Sequence, residues 1–376
     1  MSLESTSTPP ARYIMIGGFL GAGKTTAVSR LAQHLSGQGL RVGLITNDQG
    51  EQLVDTAMLA SRGFPVEEIS GGCFCCRFNS LTEAARKLSD ATRPEVFIAE
   101  PVGSCTDLVA TVSYPLRRIY GGEFSIAPLS VLIDPVRALR VLGLAEGAKF
   151  SDKVRYIYRK QIEEADLIVI NKCDLLDAPQ LELLRTALKS EFPHAEQFEI
   201  SARRGDGLEE WFARIASGQQ SSRPSMNVDY ALYAEGEALL GWLNATVSLS
   251  ATEAFDGNAW LQEFAGAIQR HLARHDAEIA HLKMTLDPDA ALGDLAVINL
   301  VRNDYVPELS QELQDALESG QVIVNIRAEV DPEVLKAAVV ESLAACATSH
   351  AFVRGELEHL EFFRPGKPEP THRIVI

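Results

Sequence analysis

Eight consecutive residues restrict the fold of this chain more than any other feature: Gly18-Phe19-Leu20-Gly21-Ala22-Gly23-Lys24-Thr25. The run satisfies G-x-x-x-x-G-K-[ST] at every fixed position. It follows the apolar stretch Tyr13-Ile14-Met15-Ile16 and precedes a helical pattern. Strand, glycine-rich loop and helix in that order form a phosphate loop. Gly18, Gly21 and Gly23 let backbone N–H groups, including those of Ala22 and Thr26, turn inward around phosphate oxygens. The helix adds the positive end of its dipole. Lys24 is expected to reach the β- and γ-phosphates, and Thr25 to hold Mg²⁺ through its hydroxyl.

A phosphate loop requires a parallel sheet, and the pattern up to Ser217 supplies one. Short apolar runs at Tyr13–Gly17, Arg41–Thr46, Val96–Ala99, Ser130–Asp134, Leu167–Ile170 and Glu196–Ile200 alternate with helical segments. Those segments fall at Thr25–Leu35, Ser80–Leu88, Asp152–Glu164, Gln180–Lys189 and Leu208–Ile215. Runs as apolar as Leu167-Ile168-Val169-Ile170 suit strands covered on both faces. The expected organisation is a disordered lead over 1–11, an α/β nucleotide-binding domain over 12–217, a linker over 218–228 and a smaller α+β domain over 229–376. A ferredoxin-like arrangement is one option for the second domain. Its expected elements are strands at Leu239–Leu249, Glu278–Leu286, Leu295–Val301 and Gln321–Arg327, with helices at Ala259–Ala273, Glu308–Leu317 and Pro332–Ala345. The tail from Phe363 reads as extended.

The base is indicated by Asn171-Lys172-Cys173-Asp174, which closes a buried strand in the pattern N-K-x-D. The Asp174 carboxylate accepts from both N1–H and the 2-amino group of guanine; adenine lacks that donor pair and would leave the carboxylate unpaired. Asn171 supports the loop and the Lys172 stem lies across the base. Ser201-Ala202, after the next strand, falls where a base-contacting loop is expected at the carboxyl edge of such a sheet.

Glu100 ends the strand Val96–Ala99 and is the expected second Mg²⁺ contact, with Asp134 as a rival. Gly103 leaves room for an N–H to approach the terminal phosphate. Asn47-Asp48-Gln49-Gly50-Glu51 reads either as a mobile loop over the phosphates, with Asp48 or Glu51 orienting water or reaching Mg²⁺, or as a plain solvated acidic loop. The residues expected to act in catalysis are therefore Lys24, Thr25, Glu100 and Asp48.

A second signal is Gly71-Gly72-Cys73-Phe74-Cys75-Cys76, which places three of the six cysteines within four positions. Three thiolates on a sharp turn suit Zn²⁺, Cu(I) or another thiophilic ion and leave a fourth position open, for water, Glu51, Asp48 or a partner's ligand. A redox sensor is the competing reading. Cys173 reads as a packing residue; Cys105, two residues past Gly103, reads as a small core residue, with an approach to the cluster as the alternative. His271 and His275, spaced i, i+4, read as solvated or packed rather than metal-binding.

The net charge of −16 argues against nucleic acid and against an anionic membrane surface. No apolar run approaches the ~18 residues of a membrane helix, and the start carries no secretory pattern, so a cytoplasmic location is expected.

The phosphate loop, Gly-Cys-x-Cys-Cys, Glu100-x-x-Gly103 and N-K-x-D, in this order, resemble the CobW-like branch of the CobW/HypB/UreG GTPases. The resemblance implies GTP hydrolysis, slow unless stimulated by metal or client, coupled to delivery of Zn²⁺ or Co²⁺ from Cys73, Cys75 and Cys76 to a client metalloprotein. Corrinoid enzymes and nitrile hydratase are implied contexts, and a homodimer is left open. Where relatives read N-E-F-G-E, this chain has Asn47-Asp48-Gln49-Gly50-Glu51, and no His-rich stretch is present. Two alternatives stand beside this: a GTP-holding metal or redox sensor that delivers nothing, and an ATP-using small-molecule kinase, against which N-K-x-D argues.

Overall fold

The computed structural model describes residues 9–47, 54–147, 150–290 and 294–376. In chain order the first sheet uses β1 (Ala11–Gly18), β2 (Val42–Asn47), β3 (Val66–Ile69), β4 (Val96–Glu100), β5 (Phe124–Ile126), β6 (Ser130–Ile133), β7 (Leu167–Ile170) and β8 (Glu196–Glu199). The second uses β9 (Leu240–Phe255), β10 (Glu278–Pro288), β11 (Ala296–Leu300), β12 (Glu308–Gln311), β13 (Leu317–Glu329) and β14 (Val353–Phe363). The helices are α1 (Lys24–Gly37), α2 (Val54–Ala60), α3 (Phe78–Thr92), α4 (Tyr114–Tyr120), α5 (Pro135–Val141), α6 (Asp152–Glu164), α7 (Ala178–Glu191), α8 (Leu208–Ser217), α9 (Tyr230–Leu239), α10 (Gly257–Ala273) and α11 (Pro332–Ser349).

Every pairing recorded in the first sheet is parallel, in the order β3-β2-β4-β1-β6-β7-β8, with β5 also against β1. β1 lies at the point where the order reverses, so its carboxyl end opens onto the crevice where such sheets bind ligands. Its central strands are buried along their whole length, as their unbroken apolar sequences require. Helix starts follow sequence chemistry: Asp177 and Gln180 form a capping box on α7, and Asp134 caps α5 ahead of Pro135.

The second sheet is antiparallel, in the order β12-β11-β10-β13-β9-β14. Four of its strands with α10 and α11 give β14-β9-β13-β10, the split βαββαβ arrangement, and β11 and β12 extend one edge. The ferredoxin-like reading therefore describes this unit.

One expected element needs correction, and several elements, β3, β5 and β14 among them, were not anticipated. Glu308–Leu317 is not a helix; β12 and a turn occupy it before β13 begins. Leu309, Leu313 and Leu317 have helical spacing, but the last two are drawn under α10, where a methyl on Gly257 would sit 3.0 Å or less from both. β14 was not anticipated because its Glu, Arg and His residues on an exposed edge hide the alternation. The tail beyond it is extended but pinned: Thr371 N–H donates to Cys75 O at 2.8 Å and Ile374 N–H to Ala110 O at 2.9 Å.

The expected lead over 1–11 already enters β1 at Ala11, while residues 1–8 lie outside the described residues. The stretch 218–228 is extended and tied to the first unit through Gln220 N–H to Ile126 O at 3.1 Å. Tyr233 of α9, Leu240 and Trp242 belong to the first hydrophobic core, so packing runs across position 229 without a break.

Candidate functional site

The phosphate loop joins β1 to α1, and Gly18, Gly21 and Gly23 all have positive φ, at 129°, 78° and 90°. Lys24 and Thr25 start α1 and are buried. Lys24 Nζ lies 3.4 Å from Phe19 O. Thr25 Oγ1 donates to Glu100 Oε1 at 3.0 Å, so the loop hydroxyl and the β4 carboxylate converge. A hard divalent cation takes such oxygen donors, and the pair fits Mg²⁺ by donor chemistry. Gly103 sits against the loop: a Cβ there would lie 2.7 Å from Leu20 Cδ2 and 3.0 Å from Leu20 N. Ala22 is buried in the loop, and Thr26 lines the same cavity, which holds about 490 Å³.

Asn171, Lys172 and Asp174 lie at the other end of that cavity with Ser201 and Ala202. Asn171 crosslinks two loops: its Nδ2 donates to Ala22 O at 2.8 Å and its Oδ1 accepts from Ala202 N–H at 3.0 Å. Lys172 Nζ donates to Gly21 O at 2.7 Å, which lays its stem along the loop. The Asp174 carboxylate pairs with Arg204 at 3.3 Å.

Asp134 joins this end rather than the Thr25 end. Its carboxylate accepts from Lys172 at 2.9 Å, Arg302 at 3.2 Å and the Arg137 backbone at 3.0 Å. Burial opposes its ionisation, but the charges of Lys172, Arg302 and Arg137 outweigh burial and hold the carboxyl well below its ordinary range.

The cysteine turn lies between β3 and α3. Gly71 and Gly72 have φ of 73° and 148°, which any residue with a Cβ resists. The Sγ atoms of Cys73 and Cys75 are 2.8 Å apart, those of Cys73 and Cys76 3.2 Å, and those of Cys75 and Cys76 3.7 Å. Tetrahedral thiolates on zinc at ~2.3 Å stand about 3.8 Å apart, so a slight opening admits an ion. Among the described residues this is the one group of three metal-ligating side chains. The six cysteines are free thiols.

Cys105, expected in the core with an approach to the cluster as the alternative, comes against this cluster. Hydrogen bonds from Cys105, then Cys75 and Cys76, draw the Cys73 thiol down against burial. Cys76 is pushed up to about 11, chiefly by its hydrogen bond with Cys73. One sulfur thus carries charge most readily while its neighbours keep their protons.

Sulfur and phosphate sites share backbone. Asn47 lines the nucleotide cavity at the end of β2, and its Nδ2 donates to Ile69 O at 2.9 Å and Gly72 O at 2.7 Å. On the other side, Gln161 of α6 donates to Gly103 O at 2.9 Å and Cys105 O at 2.8 Å. Asp48 and Glu51 lie outside the described residues.

Sequence reasoning missed the residues contributed by distant elements. Arg137 donates to Leu20 O at 2.7 Å and to Ala280 O at 3.3 Å, joining the phosphate loop to β10. Lys283 and His281 also line the cavity. No local motif marks them; their strand alternation reads as a solvent face. His271 is buried beside Glu341 at 3.3 Å, with its ring stacked on His275, which is a packing arrangement.

The model of the CobW/HypB/UreG nucleotide-binding domain matches residues 12–199, half of the chain. A zinc chaperone CobW of Sinorhizobium sp is 30% identical over 197 residues, covering 47% of this chain and 54% of its own. The zinc chaperone YjiA of Escherichia coli is 36% identical over 172 residues, covering 44% and 50%. The chain thus spans about half the length of the curated relatives it matches. Zn(II)-bound YjiA GTPase from E. coli is a structural neighbour at 15% identity and TM-score 0.40, covering 89% of this chain and 99% of that one.

Proposed function

We propose, from the premise that this chain belongs to the CobW/HypB/UreG family, that it is a GTP-hydrolysing metallochaperone passing a thiophilic transition ion, Zn²⁺ or Co²⁺, to a client metalloprotein. The observation that carries this reading is Asn47, one side chain that lines the nucleotide cavity and holds the carbonyl preceding Cys73 at 2.7 Å. The names of the relatives, zinc chaperones, support the choice of cargo.

In this reading the loop N–H groups and Lys24 hold the β- and γ-phosphates, and Asp174 selects guanine with Asn171 and the Ser201-Ala202 loop in support. Thr25 and Glu100 are the residues that hold Mg²⁺, which supplies charge neutralisation at the phosphates. Water attacks the γ-phosphorus, the bond to the β–γ bridging oxygen breaks, and GDP and phosphate leave. The contacts around Gly103 and Asn47 then relax together, as loops held by a terminal phosphate do. Cys73, Cys75 and Cys76 hold the cargo ion, whose positive charge offsets the hydrogen bonds with neighbouring thiols, and after them the burial, that otherwise keep Cys75 and Cys76 protonated. Turnover is slow without metal or client, and the place of action is the cytoplasm.

Protein purified reduced should take up one equivalent of Zn²⁺ or Co²⁺, and a variant with Cys73, Cys75 and Cys76 replaced by Ser should take up none. Equal metal content in the two proteins, or a preference for ATP over GTP, contradicts the proposal.

A further inference from the structure

The second sheet turns a polar face toward the nucleotide cavity. Along β10, Leu282, Met284 and Leu286 point into the second core, so His281, Lys283 and Thr285 occupy the opposite face. Asn244, Thr246, His281, Thr285, Asn325 and Arg327 belong to the same three strands, and all are 6% exposed or less. Burying so many polar groups is costly unless something polar meets them. What lies beneath is the phosphate loop: Arg137 binds Leu20 O together with the carbonyls of Ile279 and Ala280. The cavity walls include Trp242, His281, Lys283 and Asn299 alongside Lys24 and Thr25.

Within this roof Lys283 extends to the phosphate end. Its Nζ stands 3.4 Å from Thr25 Oγ1, the hydroxyl that itself meets Glu100 at 3.0 Å. In a phosphate loop the Thr hydroxyl marks the β/γ end of the nucleotide. Burial, and then the charges of Lys283, Arg327, Lys24 and Arg137, hold the His281 imidazole neutral. The roof and the loop therefore present converging positive charge to whatever anion enters.

We propose that Lys283 is a cation supplied by the second domain to the terminal phosphate of bound GTP. It meets the γ-phosphoryl oxygens from the face opposite the phosphate loop. There it offsets the charge that spreads over those oxygens as the bond to the leaving oxygen breaks. The second sheet thereby reads directly whether the terminal phosphate is present, because GDP offers Lys283 no such partner. This inference rests on the GTPase reading and adds to it a residue outside the nucleotide-binding domain.

The test compares wild type, Lys283→Met and Lys283→Arg in the full chain. Affinities for GDP and for a non-hydrolysable GTP analogue are measured by fluorescence titration, and GTP turnover is measured beside them. Lys283→Met should weaken analogue binding about tenfold, leave GDP binding within about twofold, and lower kcat at least tenfold. Lys283→Arg should restore most of the analogue preference, which also shows that the fold tolerates change at this position. Equal losses for the two nucleotides, or unchanged analogue affinity and kcat in Lys283→Met, overturn the inference while leaving the GTPase reading intact. Failure of the wild type to bind either nucleotide overturns both.

Discussion

Gly103 shows how a single hydrogen in place of a methyl can decide activity. A Cβ at this position would meet Leu20 N at 3.0 Å, and Leu20 N belongs to the loop that surrounds the phosphates. The Leu20 side chain can turn aside; its backbone cannot. Gly103→Ala should therefore push the two loops apart, with a strain of about 1–3 kcal/mol. The expected outcome is a folded protein whose GTP turnover falls about tenfold or more, measured by phosphate release beside a thermal melt. Unchanged turnover would mean that the loops do not need this contact. At this scale the sequence spoke clearly wherever chemistry is encoded locally. The phosphate loop, Asn171–Asp174 and the Cys73–Cys76 run name themselves by spacing, and in the structure they follow β1, β7 and β3 of the first sheet. Arg137 and Lys283 stayed silent because their partners are distant in the chain and adjacent only in space.

Among the elements, the central parallel strands were legible from their apolar runs, since burial on both faces leaves no ambiguity about what they are; β3 and β5, short and only partly buried, were not read. β14 and the 308–317 segment were not. An edge strand rich in Glu loses its alternation, and a turn that buries leucines every fourth residue imitates a helix. The junction between the two sheets was equally hidden, although it sets the cavity. It is held at Asp134, where Lys172 of the N-K-x-D loop, Arg137 of α5 and Arg302 beyond β11 meet one carboxylate. Removing that charge deprives Lys172 and buried Arg137 of their shared carboxylate and leaves Arg302 with the half-exposed Asp304 at 3.1 Å, so Asp134→Asn should cost about 1–3 kcal/mol at neutral pH. The sign with pH follows from the depressed carboxyl. A folded-state value below the ordinary 3.8 contributes stability above that value and loses it as the carboxyl takes a proton. The gap between wild type and Asp134→Asn in urea melts should hold from neutral pH down to about pH 4 and narrow below it. A gap independent of pH throughout would remove the charge cluster from the account.

For the whole molecule, the first sheet carries two sites on one stretch of framework. β2 ends at Asn47, whose amide holds Gly72 O; β4 ends at Glu100, and its continuation runs through Gly103 to Cys105 against the sulfurs. The second sheet closes the cavity from above, and the tail crosses the cysteine turn, with Glu369 N–H donating to Cys76 Sγ at 3.2 Å. Two sites that share movable backbone exchange free energy in both directions, so the ion should alter nucleotide affinity by the same factor that nucleotide alters ion affinity. The central measurement is Zn²⁺ affinity of the reduced full chain with GDP and with a non-hydrolysable GTP analogue, in wild type and in Asn47→Ala. The account predicts at least a fivefold difference between the two nucleotides in wild type, within the usual range of such couplings, and its loss in Asn47→Ala. Identical Zn²⁺ affinities in the two nucleotide states of the wild type would contradict it.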